Sequence, residues 1–207
     1  MTSDLMSFSE KSFVVEDEAE GDRLAREALL DCAMGPGRRR KSSEKLRNGR
    51  LPSSGLAFVV RNGTGQVIGT VRLWDVAAGG RSLLLLGPLA VDASSEGKGI
   101  GSVLMRHAIT RAKEQGHGAI ILVGDAPYYQ RFGFSAGKTG SLMMPGPVER
   151  DRLLGVDLKP GYLDGLAGLL VASGSTMAAP EQQGQRQRAA SCLKGQFLSI
   201  LRDVHRW

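Results

Sequence analysis

Short apolar runs separated by turn formers alternate along the chain with stretches of helical spacing, a pattern that predicts helices packed on a mixed sheet. Residues 12–16 (SFVVE) read as a first strand. Residues 17–31 set Ala19, Leu24, Ala28 and Leu29 on one face of an amphipathic helix with acids in its first turn. Gly35-Pro36-Gly37 ends that helix, and a short second one is expected around Leu46 before Asn48-Gly49 and Pro52. Residues 56–61 and 66–75 form a strand pair about the turn Asn62-Gly63-Thr64-Gly65. A turn over 77–81 then leads into the central strand, 83–91, which opens with four leucines. Residues 99–115 carry Val103, Leu104 and Ala108 on one helical face and stop at Gly116 and Gly118. Because this helix joins 83–91 to the buried run 119–123 (AIILV), those two strands should be parallel and the crossover right-handed.

Beyond Phe134 the pattern loosens. Loops surround 142–144, and strands are expected over 152–158 and 166–172 with Pro160-Gly161-Tyr162 between them. Residues 174–187 turn to Ser, Ala, Gln and Gly, the composition of a flexible linker. Residues 192–207 place Leu193, Phe197, Ile200, Leu201 and Val204 near helical spacing. The expected organisation is one domain over 1–173, then linker and amphipathic helix over 174–207.

Chemistry concentrates where the central strand meets the second long helix. Glycines there let backbone N–H groups approach an anion, and a helix start adds unpaired donors and the positive end of its dipole. Two phosphate loops fail on spacing. Gly97-Lys98 is followed by Gly99, not the Ser or Thr of a Walker A loop, and Leu104 stands where a dinucleotide turn needs its third glycine. What remains, Glu96-Gly97-Lys98-Gly99-Ile100-Gly101, resembles motif A of the GNAT superfamily of N-acetyltransferases, Gln/Arg-x-x-Gly-x-Gly/Ala, with Glu96 in place of the usual Gln or Arg. Downstream, Tyr129-Gln130-Arg131-Phe132-Gly133-Phe134 resembles the Tyr-x-x-x-Gly-Phe ending of motif B, and the surrounding run is similar to a bacterial branch of predicted acetyltransferases.

The resemblance implies an α/β fold of the GNAT type, with a mixed central sheet flanked by helices and a parallel strand pair that splays apart. Acetyl-coenzyme A would be the co-substrate, with no metal. It would lie along Leu89, Ala90 and Val91, over Glu96, Gly97, Lys98, Gly99, Ile100, Gly101 and Ser102, and against Tyr128 and Arg131. Gly87-Pro88 should interrupt the ladder of the central strand, since Pro88 has no N–H to donate. The Leu89 N–H then becomes the candidate oxyanion donor. Tyr129 stands at the family's general-acid position, and a phenol near pKa 10 can protonate a departing thiolate. The central strand carries no Glu or Asp, so no general base is visible. Asp75 and Asp92 read as turn residues at strand ends, His107 as a surface or packing histidine, and Asp125 as a helix cap at Ala126.

Composition narrows the partners. The chain has 207 residues, 42% hydrophobic and 23% charged, with no apolar run of membrane length. Cys32 and Cys192 are far apart and have no His or Cys at ligand spacing, which argues against a disulfide framework or zinc site and makes cytoplasm the default. The net charge of +6 gathers in Arg38-Arg39-Arg40-Lys41, Lys45, Arg47 and Arg50, read first as a solvated face and second as an attractor of an acidic acceptor or of coenzyme A. With 5% aromatics and no interleaved stacking residues, nucleic acid ranks last. The expected activity is acetyl transfer to a primary amine on a small molecule or a protein, with homodimer formation open. An acyl-coenzyme A binding regulatory module without turnover is the alternative, kept open by Glu96 and the missing base.

Overall fold

A computed structural model of the chain describes residues 13–177. Among them run β1 (Val15–Asp17), α1 (Arg23–Met34), β2 (Ala57–Arg61), β3 (Val67–Ala78), β4 (Arg81–Val91), α2 (Ile100–Glu114), β5 (Ala119–Val123), α3 (Ala126–Tyr129), β6 (Leu142–Met143), β7 (Leu153–Asp157), β8 (Gly168–Leu169) and β9 (Val171–Ala172). The main sheet has the order β1-β2-β3-β4-β5-β7, with β9 also paired to β3 and β6 and β8 forming a separate small pair. Within the main sheet neighbours are antiparallel except β4 and β5, the pair joined through α2; β6 and β8 are also parallel. The expected C-terminal helix, 192–207, lies outside the described residues.

Alternation explains why four consecutive positions of β4, Leu83 to Leu86, are all apolar. Leu84 and Leu86 face α2, packing with Ile100, Leu104 and Met105, while Leu83 and Leu85 face the other way with Trp74, Leu142 and Leu163. Both faces of the sheet are covered, so no position on this stretch of strand can be polar. On the side opposite α2, Leu29 and Leu30 of α1 cover Val59, Val67 and Ala90.

Several expectations shift. The first helix begins at Arg23, after a 3-10 turn at Glu20–Asp22, and buries Arg26, Leu29 and Leu30 while Leu24 is 57% exposed. Arg26 can turn inward because Glu18 and Glu27 pair with it there. The second helix is a pair of 3-10 turns, Pro36–Arg40 and Ser42–Leu46. The basic block is only partly a solvated face: Arg39, Arg40, Lys41 and Lys45 are exposed, but Arg38 is buried against Glu27 and Asp31 and Arg47 against Glu44. Asp75 lies within β3, where it accepts from the Ser53 hydroxyl at 2.9 Å, and is no turn residue. The strand expected over 166–172 divides into β8 and β9. At the start of the linker segment, Leu51 N–H donates to Ser175 O and Met177 N–H to Gly49 O, tying 174–177 to the body.

Candidate active site

The site begins at an irregularity in β4. Val71 stands opposite Leu89 and Leu73 opposite Leu86, so β4 uses three steps where β3 uses two. The extra residue is a bulge at Gly87-Pro88, a cis peptide whose Gly87 has φ +122°, a conformation that favours glycine. The bulge resets the alternation, and Leu89 and Val91 pack with the α2-side core while Ala90 faces α1.

Pairing beyond the bulge decides which backbone groups are free. Asp92 N–H donates to Ile68 O at 2.8 Å, which makes Asp92/Ile68 and Ala90/Thr70 the hydrogen-bonded pairs of the β3–β4 ladder. Leu89 and Val91 occupy the alternate positions and aim their N–H and C=O toward β5. There, however, the β4–β5 ladder is confined to Leu84/Ile120 and Leu85/Ile121. The two parallel strands therefore part at Gly87, leaving an open edge inside the protein.

The start of α2 stands on one side of this opening. Asp92 caps a 3-10 turn by accepting from Ser94 N–H at 3.0 Å, and Gly99 enters the helix with φ +84°. Ser102 and Val103 N–H both donate to Gly99 O, while Ile100 and Gly101 begin the helix without an intrahelical carbonyl to receive theirs. Lys98 Nζ turns back onto Ser94 O at 2.8 Å, and Glu96 is exposed. Tyr128 closes the gap: a Cβ on Gly101 would stand 2.8 Å from its Oη and 3.7 Å from Val91 Cγ2. Arg131 holds that tyrosine, its guanidinium 4.4 Å from the ring centre and its Nε donating to Tyr128 O at 2.9 Å.

Tyr129 sits where β5 ends, lining a cavity of about 90 Å³ with Gly87, Pro88, Leu89 and Val123. Its ring lies against the Gly124 backbone and edge-on to Tyr128, centroids 4.9 Å apart. Its hydroxyl has no hydrogen-bond partner among the described residues, and burial pushes the phenol up to about 12. Asp125 precedes α3, but its backbone carbonyl makes the bonds to Tyr128 and Tyr129 N–H; the side chain forms no cap.

The opposite side opens into a groove of about 1170 Å³ between α1, the 3-10 turns and β3, reaching the bulge at Pro88. Ion pairs build its wall. Arg38 donates to Asp31 at 2.6 Å and to Glu27 at 2.5 Å. Burial pushes Glu27 up, but the hydrogen bonds from Arg38 and Arg26 win and hold it below the ordinary carboxylate value. Burial pushes Glu18 up to about 7 against the pull of Arg26; its oxygens receive Arg26 and both Nε and Nη2 of Arg72, so it anchors the wall and is not free to act as a base. Trp74 Nε1 donates to Gly87 O at 2.6 Å and pins the bulge from this side.

The structure thus brings together Leu89, Val91, the start of α2, Tyr128 and Tyr129, with Ala90 turned toward α1 and Arg131 held on the outer face of Tyr128. His107 packs edge-on to Phe58, centroids 4.6 Å apart, which is the packing alternative of the two expected for it. Two contributors had no distinct signal in the sequence, Trp74 behind the bulge and Gly124 beneath Tyr129, and Arg47 beside the bulge stood out there only as one member of the basic block. Among the described residues there is no cluster of His, Cys, Asp and Glu able to hold a metal ion, and no helix long and apolar enough to cross a membrane.

Residues 53–136 match the family model for the acetyltransferase (GNAT) domain. The chain is 32% identical over 117 residues to the uncharacterized N-acetyltransferase YhbS of Escherichia coli (strain K12), an overlap of 56% of this chain and 70% of that protein. The crystal structure of the GNAT family N-acetyltransferase YhbS from Escherichia coli in complex with CoA superposes with a TM-score of 0.67 and 27% identity, over 78% of this chain and 89% of that one. A GNAT family acetyltransferase from Brucella melitensis in complex with acetyl-CoA gives 0.50 and 26%, over 70% and 96%.

Proposed function

Because the chain belongs to the GNAT family of N-acetyltransferases, we propose that it moves an acetyl group from acetyl-CoA to a primary amine by direct attack of the amine on the thioester. The observation that carries this reading is the open edge of β4, with Leu89 and Val91 aimed between Tyr129 and the start of α2. The residues fit the coenzyme. Unpaired N–H groups at Ile100 and Gly101 suit a pyrophosphate, and the free edge suits the amides of a pantetheine arm. The relatives crystallised with CoA and acetyl-CoA support the same assignment.

When bound, the coenzyme supplies an activated acyl thioester. The Leu89 N–H donates to its carbonyl oxygen, and one such donor contributes about 3 kcal/mol in the transition state. The amine nitrogen bonds the carbonyl carbon, the C–S bond breaks with its electron pair on sulfur, and Tyr129 gives sulfur its proton. The surplus proton on nitrogen returns through solvent to the phenolate. A phenol raised to about 12 is fully protonated at neutral pH, and the partial burial that raises it raises the proton affinity of the thiolate as well. The groove beside α1 is the entrance for the amine.

Release of coenzyme A thiol, followed with a panel of small amines, amino acids, polyamines and lysine peptides, tests the proposal. Turnover on one class identifies the acceptor. Tight acetyl-CoA binding without turnover on any amine would favour a regulatory acyl-CoA binding module instead.

A further inference from the structure

Arg47 is a buried arginine whose donors are incompletely used. Its side chain is 9% exposed. Nη2 donates to Ser43 Oγ at 3.2 Å and pairs with Glu44 Oε2 at 3.1 Å, while Nε is buried without a partner among the described residues. Nη1 has no hydrogen bond there either and turns to the bulge of β4, standing 3.8 Å from the point that a Cβ on Gly87 would occupy. The Leu89 N–H lies 4.0 Å from that same point. Glycine at 87 thus leaves a space bordered by two donors, one from the backbone and one a permanent cation. This space belongs to the cavity that also holds the free Tyr129 hydroxyl.

We infer that Arg47 Nη1 is the second donor to the thioester carbonyl oxygen, completing with the Leu89 N–H a two-donor oxyanion site at Gly87. The inference rests on the acetyl-transfer reading and deepens it. Charge develops on that oxygen as the amine attacks, and a largely buried guanidinium stabilises it more than a neutral amide does. Desolvating an arginine costs free energy that Glu44 only partly offsets, and a role toward an oxyanion accounts for its position. No bond to Arg47 forms or breaks, and it stays protonated throughout.

The test reads the carbonyl directly and needs no knowledge of the acceptor. Acetyl-CoA labelled with 13C at the carbonyl is bound to the full-length protein, and its stretch is recorded by difference infrared spectroscopy. The native protein should move the band to lower wavenumber than free acetyl-CoA, and Arg47→Gln should return most of that shift while acetyl-CoA affinity, by calorimetry, changes less than about threefold. On an amine found in the panel, kcat should fall about a hundredfold. A shift that persists in Arg47→Gln, or a native band with no shift, would overturn the role of Arg47. Failure of the native protein to bind acetyl-CoA would instead overturn the acetyl-transfer reading, and this inference with it. Arg47→Met keeps the apolar stem without the donors and serves the same measurement should the glutamine variant not fold.

Discussion

The ring of Tyr129 rests directly on the backbone of Gly124: a Cβ placed there would stand 2.8 Å from Cδ2 and 3.0 Å from Cζ, with Cε2 closer still. Gly124 is therefore the floor that sets the height of the phenol in the cavity. Gly124→Ala should lift the ring and lower kcat at least tenfold, with a smaller effect on acetyl-CoA affinity. Steady-state kinetics beside calorimetry measures both. Equal loss in binding and turnover would show that the residue supports the coenzyme and not the phenol.

Removing only the hydroxyl separates position from chemistry. Tyr129→Phe keeps the ring, so the melting temperature should barely change, whereas kcat should fall about a hundredfold if the phenol protonates the thiolate. The loss belongs in kcat because the interaction forms only as sulfur departs. Full kcat in the folded variant would remove Tyr129 as the acid.

The raised phenol also makes a pH prediction. With its folded value near 12 and an unfolded value near 10, the folded state holds this proton more tightly. Its stabilising contribution is complete below about pH 10 and disappears as pH rises toward about 12. Urea unfolding at pH 9 and pH 11.5 should show a smaller alkaline loss in Tyr129→Phe than in the native protein. In kcat, the limb due to this group should lie above pH 10; a fall centred near pH 8 would belong to another residue.

At the start of α2, Gly101→Val should raise the acetyl-CoA dissociation constant at least tenfold, and the structure gives the route. The new Cβ meets Tyr128 Oη before it meets anything else. Adding Tyr128→Phe to Gly101→Ala should therefore recover much of the affinity that Gly101→Ala loses. Native affinity in a folded Gly101→Val protein would exclude this helix start as the phosphate site.

Glu96 is exposed beside the loop, where the family motif usually carries Gln or Arg. If its carboxylate faces the phosphates, Glu96→Gln should tighten coenzyme A binding at low ionic strength, with the gain shrinking as salt is added. An unchanged dissociation constant at low salt would mean that the side chain points to solvent.

What could be read from the sequence was what depends on local pattern. The run Leu83 to Leu86 in β4, the Gly87-Pro88 interruption, the helix between two parallel strands and the Tyr129 context all follow from neighbours a few positions away. The groove was not readable, because it is made of ion pairs between distant residues. Arg38 is buried only because Glu27 and Asp31, eleven and seven positions earlier, receive it. Hydropathy treats such an arginine as solvent-seeking, which is why the basic block looked like surface and why Arg26 was left off the inner face of α1. Asp125 misled for a related reason: its position before α3 suits a side-chain cap, yet the backbone carbonyl alone makes the bonds.

The span matched by the family model, residues 53–136, contains the whole of the strand opening, the start of α2 and both tyrosines. The groove draws mostly on other parts of the chain, from Glu18 to Pro52 and again at Met177, with Arg72, Trp74 and Pro88 as its contributions from within the span. On the proposed reading, the two substrates are handled by largely separate stretches, with Arg47 common to both. Grafting residues 18–52 from a relative, with Arg47 kept, would exchange the acceptor wall while leaving the acetyl-donor machinery in place, and a lineage could change its amine without rebuilding its chemistry.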